Sequence, residues 1–182
     1  MYRHCTTEDS TLRQRQLEQC FLDLLGQIPY DQISIGQICD AASLSRKSFY
    51  RYFSNKEGCL CALLDHTIID GASSYVPPES QKHLSVIFLE RFFEFWEQQA
   101  ALLDVLQRDC LDVKLVERMM TYATEEENQF RSYLGIYRED SFEYMSYIIS
   151  GIMGLVIRWH HSGYPKTPQQ MAVILERLLT KA

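Results

Sequence analysis

Helix-breaking residues are scarce in this chain: 8 glycines and 5 prolines are spread over 182 positions. A fold built on many tight turns needs more of both, so long helices are favoured and an all-α class is expected. Long hydrophobic runs are missing too. The most apolar stretch, Tyr144 to Ile157, is 14 residues and includes serine and two glycines, short of the roughly 18 to 20 that a membrane span needs. The opening MYRHCTTEDS has no apolar block resembling a signal peptide. Six cysteines are scattered without zinc-ligand spacing, which makes a reducing cytoplasm the expected home and argues against a structural metal site. The chain also lacks a phosphate loop, a dinucleotide fingerprint and a metalloprotease helix motif. Nothing marks it as an enzyme, and no cofactor is called for. His160 and His161 are adjacent, so on a helix they point in different directions and make a poor metal pair.

What is present is a charge imbalance between two parts of the chain. The net charge is -6, yet residues 1 to 56 carry seven Lys/Arg against six acids, leaving eleven bases and eighteen acids for the rest. Between Arg46 and Lys56 there are four bases and no acid. A small basic patch therefore sits on an acidic body, a distribution that suits contact with an anionic polymer at one end only.

Helical periodicity organises the N-terminal part. Leu12, Leu17, Phe21, Leu24, Leu25 and Ile28 fall near one stripe, predicting a helix over Thr11 to Gln27 that Pro29 stops. Ser34 followed by Gln37 reads as a capping box opening a two-turn helix with Ile35, Ile38, Cys39 and Ala42 inward. Ser45 caps another short helix after Ala42-Ser43-Leu44, so two short helices flank a tight turn. Ser54 to Glu57 reads as a further capping box, opening a long helix toward Asp70, with a linker or helix break from Gly71 to Ser80. At 100° per residue, Arg46, Tyr50, Lys47 and Arg51 span an arc of about 140° on the third helix, whereas Phe49 points away toward Leu44 and Ile38. One face is left free for DNA, with Arg46 and Lys47 as base-reading candidates. Ser34, Ser45 and Ser48 supply hydroxyls for phosphates, Tyr50, Arg51 and Tyr52 add reach and charge, and Lys56 places a cation at a helix N-terminus, where it needs an anionic partner.

With Tyr50, Phe53, Lys56, Glu57 and Leu60 following the two short helices, the Ser34 to Leu60 segment closely resembles the DNA-binding domain of TetR-family regulators, whose hallmark is a helix-turn-helix ending in Y-x-x-F before a Lys-Glu-opened fourth helix. The resemblance covers about residues 10 to 65. It implies an N-terminal three-helix DNA-binding domain (1–55), a connecting helix (56–75) and a helical ligand-binding and dimerisation domain (76–182), about nine helices in all. Two departures stand out: Ser43 occupies the turn position where glycine is usual, and Lys47 replaces what is commonly a small residue.

In the body, helices are predicted over Leu84 to Trp96, Ala100 to Gln107, Val113 to Leu134, Phe142 to His161, and from a Thr167-Pro168-Gln169-Gln170 start to about Leu179. The first and fourth are apolar around most of their surface, which implies burial or a covering partner. Gly151 and Gly154 would let a second backbone approach, or accommodate a neighbour in the same subunit. The resemblance implies a homodimer through the last two long helices, with Ile149, Ile152, Met153, Val156 and Leu175 as the expected seam. Phe88, Phe92, Phe95, Trp96, Met119, Tyr122, Phe130, Tyr147 and Trp159 either line an aromatic effector pocket or fill a core. The expected partners are thus a double-stranded DNA operator, a second copy of the chain and a small apolar or aromatic effector, with no membrane. An adaptor or activator controlled by a protein partner is the alternative.

Overall fold

The computed structural model describes residues 2–75, 85–124 and 141–181. Among them are nine α-helices: α1 (Glu8–Leu25), α2 (Ile35–Ala41), α3 (Arg46–Tyr52), α4 (Lys56–Tyr75), α5 (Val86–Gln98), α6 (Ala100–Arg108), α7 (Asp112–Thr124), α8 (Ser141–His161) and α9 (Pro168–Lys181), plus a 3-10 turn at Tyr30–Gln32. The all-α expectation holds. The chain forms two compact units: Met1–Thr67 with Asp104–Leu111, and Ile68–Leu103 with Asp112–Ala182.

Several helix boundaries follow from local chemistry. Ser34 and Gln37 form the reciprocal capping box, with Gln37 N donating to Ser34 Oγ at 3.2 Å and Ser34 N to Gln37 Oε1 at 2.8 Å. Thr167 and Gln170 repeat it at 3.3 and 3.0 Å. Helix α4 departs from the expectation: its cap is Asn55, whose Oδ1 accepts from Gly58 N at 2.8 Å, one residue after Ser54. The helix also continues through Gly71 to Tyr75, so the expected break does not begin at Gly71, and the rest of the expected linker lies outside the described residues. The C-terminal half of the helix predicted over Val113 to Leu134 lies outside the described residues.

In the first unit Leu17, Phe21, Leu25, Ile38, Phe49, Phe53, Leu60 and Leu64 form a core with almost no exposure. Leu12, expected on the inner stripe of α1, is instead 61% exposed, while Gln14 and Glu18 are buried. Both polar groups are satisfied: Glu18 meets His66 Nδ1 at 2.8 Å, and Gln14 Nε2 donates to Arg3 O at 3.2 Å. Burial of such groups is tolerable only because they are paired.

The end of α6 closes the other side of this unit. Arg108 Nη2 donates to Leu25 O at 2.7 Å and Ile28 O at 3.1 Å, satisfying carbonyls that the end of α1 leaves open. Asp109 accepts from Tyr30 N at 2.9 Å and from Arg108 Nη2 at 2.8 Å. The bonded Arg108 guanidinium holds the Asp109 carboxyl below its ordinary value, opposed by burial and helped by the Tyr30 N–H. A depressed carboxyl pKa contributes stability above the unfolded value of about 3.9, lost as pH falls through the folded pKa. Asp109→Asn is therefore expected to flatten the acid limb of stability below about pH 4, measured as urea midpoints between neutral and acid pH. An acid limb identical to the parent's would remove Asp109 from it.

The second unit packs α9 along α5 and α8 against α7. Helix α5 is less enclosed than its composition suggests: Phe88, Leu89, Phe92, Phe93 and Trp96 are buried, but Ile87 is 60% exposed. Its inner face stacks edge-on, with Phe93 against Trp159 and Phe95 against Trp96 at ring separations of 5.4 and 5.5 Å, arrangements that aromatic quadrupoles favour. Gly71 leaves the space Phe95 fills, since a Cβ there would lie 2.6 Å from its ring.

Candidate nucleic-acid interface

Helices α2 and α3 are joined by a turn in which Ser43 N donates to Asp40 O at 3.1 Å and Leu44 N to Cys39 O at 2.9 Å. This paired pattern ends a helix through a left-handed residue, and Ser43 adopts it at φ +53°. The serine thus takes the conformation a glycine would take more easily, at a cost of about 1 kcal/mol. Ser45 then caps α3, its Oγ accepting from Ser48 N at 3.1 Å and lying 3.0 Å from Ser48 Oγ. The hydroxyls of Ser34 and Ser45 are thereby engaged in starting helices, and that of Ser48 pairs with Ser45.

Phe49 is fully buried and stacks on Phe53 at 5.1 Å, fixing the rotation of α3 about its axis. With that face inward, Arg46, Lys47, Tyr50 and Arg51 are exposed, Tyr50 by 57%. Tyr52 corrects the sequence reading: only 4% exposed, it lies three residues from Phe49 on the same inner side, and its carbonyl accepts from Arg3 N at 2.9 Å. Its ring does not join the exposed cationic face. Lys56 finds its electron-rich partners within the unit: Nζ donates to Tyr30 O at 2.6 Å and Ile33 O at 2.9 Å, and stands 4.2 Å from the Tyr30 ring centroid. Sequence pattern placed the cation correctly at the start of α4 and missed the 3-10 turn that receives it, because that turn has no periodicity of its own.

The body candidates separate into an interior and a surface group. Phe88, Phe92, Trp96, Met119 and Trp159 are buried; Phe95 and Tyr122 are half-buried. Tyr147 does not belong with them: it is 69% exposed and lines a groove of about 200 Å³ with Ile152, Leu175 and Leu178. Phe130 lies outside the described residues. Of the five expected seam residues, Ile149, Met153 and Val156 are at most 1% exposed inside the unit, which corrects their assignment. Ile152 and Leu175 do reach the groove. A Cβ added at Gly151 or Gly154 would have nothing within 4 Å among the described residues, so no described neighbour accounts for either glycine. The Trp96 indole N–H is buried without a hydrogen-bond partner among the described residues. His160 Nδ1 lies 2.7 Å from Tyr164 Oη, and no group of three metal-ligating side chains occurs among the described residues.

A family profile described as a transcriptional regulator C-terminal region matches residues 87–181, and one described as bacterial regulatory proteins, tetR family, matches residues 22–63. The HTH-type dhaKLM operon transcriptional activator DhaS of Lactococcus lactis is 27% identical over 92 residues, 49% of each chain. The alignment thus spans about half the length of that curated relative. Among solved structures, a tetR-family regulator from Streptomyces coelicolor superposes with a TM-score of 0.60 at 24% identity, covering 91% of this chain and 80% of that one. The TetR family repressor AlkX from Dietzia sp., implicated in biodegradation of n-alkanes, gives 0.57 at 18%, covering 92% and 94%. A dihydroxyacetone kinase operon activator DhaS structure gives 0.62 at 16%, covering 94% and 96%. At these identities the structural likeness speaks for the fold alone.

Proposed function

Because the chain belongs to the TetR family of transcriptional regulators, we propose that it binds a palindromic operator as a homodimer and represses until a small apolar or aromatic effector releases it. The observation that carries DNA binding is the exposed Arg46, Lys47, Tyr50 and Arg51 face, held outward by the buried Phe49. Such a face enters a major groove while the hydroxyl proton left over in the Ser45–Ser48 pair and the third ammonium proton of Lys56 meet phosphates, and Ser34 joins them by turning its hydroxyl away from Gln37. We assign residues 1–55 to the head, 56–75 to the connection and 76–182 to the body.

A lone head binds weakly, so two copies must present their α3 helices to successive grooves about 34 to 36 Å apart. The apolar groove along α8 and α9 supports dimerisation, with Tyr147, Gly151, Leu155 and Leu178 joining Ile152 and Leu175. The aromatic cluster around Trp96 supports effector binding, since a buried N–H lacking a described acceptor suits a ligand that brings one. Effector binding would shift the population between operator-competent and incompetent dimers. Activation is the second reading, favoured by the partial likeness to a protein described as an activator.

The test is fluorescence anisotropy of the full chain on DNA from upstream of its own gene, at several salt concentrations. Binding is expected to be at least about 10³-fold tighter than to random duplex, with a steep salt dependence. Equal affinity for both DNAs would overturn operator recognition. Titrating the complex with aromatic and acyl compounds bearing a hydrogen-bond acceptor should release the DNA together with a change in tryptophan emission. Release without such a change would move the effector away from Trp96.

A further inference from the structure

Gly36 stands at the second position of α2, and glycine is a poorer helix former than alanine. Its conformation does not require glycine, because its φ is not in the left-handed region. Space does. A Cβ at Gly36 would come within 2.9 Å of Arg46 Nη2 and 3.7 Å of its Cζ, with Ser34 Oγ at 3.6 Å. The Arg46 guanidinium therefore lies against bare backbone on the first turn of α2. A second sign of this placement comes one turn further along: burial pushes the Cys39 thiol up, and the charge of Arg46 acts against that rise. Gly36 and Cys39 share a helix face, and the guanidinium bears on both.

We infer that Gly36 is a positioning residue for operator recognition: its missing side chain is the seat that sets where the Arg46 guanidinium is presented. The inference rests on the DNA-binding reading of the head. A side chain at Gly36 meets the far end of a flexible arginine, so the fold yields there by moving Arg46 and not its backbone. The effect of substitution is therefore expected on recognition and not on folding. Specificity would thus depend on α2 as well as on the exposed face of α3.

The experiment is a double-mutant cycle in the full chain: Gly36→Ala, Arg46→Ala and the double variant, each measured on operator and random duplex, with thermal unfolding alongside. Arg46→Ala is expected to lower the operator preference by about 10-fold, the range of one good base contact. Gly36→Ala should lower it by a similar factor, with a melting temperature equal to or above the parent's, and the double variant should be no worse than Arg46→Ala. An operator preference unchanged by Gly36→Ala, or independent losses that multiply in the double variant, would overturn the positioning role while leaving DNA recognition intact. If the parent shows no operator preference, recognition itself fails and the inference falls with it.

Discussion

Gly151→Arg is expected to convert the proposed dimer to a monomer and to weaken operator binding by on the order of 10²–10⁴-fold, the gain that linking two binding modules provides. Within the described residues the first side-chain carbon is accommodated, because none of their atoms lies within 4 Å of a Cβ at this position. In a dimer it would place a bulky cation where a second backbone approaches, in a groove whose lining includes Ile148, Ile152, Leu155 and Leu175. The described lining of the groove offers no carboxylate to a charge buried there, and the seam is expected to open. Sedimentation at micromolar concentration reads the oligomeric state, and anisotropy on full and half operators reads the loss. The half-site affinity should be spared, since the exposed face of α3 is untouched. A variant that remains dimeric with full affinity would put the seam elsewhere.

The interior and the surface of α8 were not equally legible in the sequence. Tyr144 to Ile157 is apolar on nearly every side, so its periodicity carries little information about phase. Ile149, Met153 and Val156 are as greasy as the residues that line the groove, and only packing within the second unit assigns them inward. Short-range chemistry was readable where it was unambiguous: Ser34 with Gln37, Ser45, and Thr167 with Gln170 start the helices expected of them. Ser54 and Asn55 are both good caps, and local preference alone did not choose between them. On α1 the error runs the other way. Gln14 and Glu18 are buried through partners at Arg3 and His66, the latter 48 residues distant, leaving Leu12 outside. Tyr52 belongs to a similar class, since its helix phase follows from Phe49 while its amphipathic side chain suggested a surface role.

Lys56→Ala separates two roles that the sequence alone merged. At the first position of α4 a cation receives no help from the helix dipole, yet its ammonium is held by the Tyr30 and Ile33 carbonyls and by the Tyr30 ring. Removing it leaves the Ile33 carbonyl without this donor and frees the 3-10 turn that leads into α2. A stability loss of about 2 kcal/mol is expected, the scale of hydrogen bonds from a charged donor, read as a lower urea midpoint. Two of the three ammonium protons point inward, leaving one for a phosphate oxygen. The affinity should therefore fall alike on operator and random duplex, with the salt slope reduced by less than one unit. An unchanged midpoint with a full unit lost from the slope would make Lys56 a phosphate contact and nothing more. A loss confined to the operator would make it a reader of bases, and the turn at Tyr30 would need another explanation for its place beside α4.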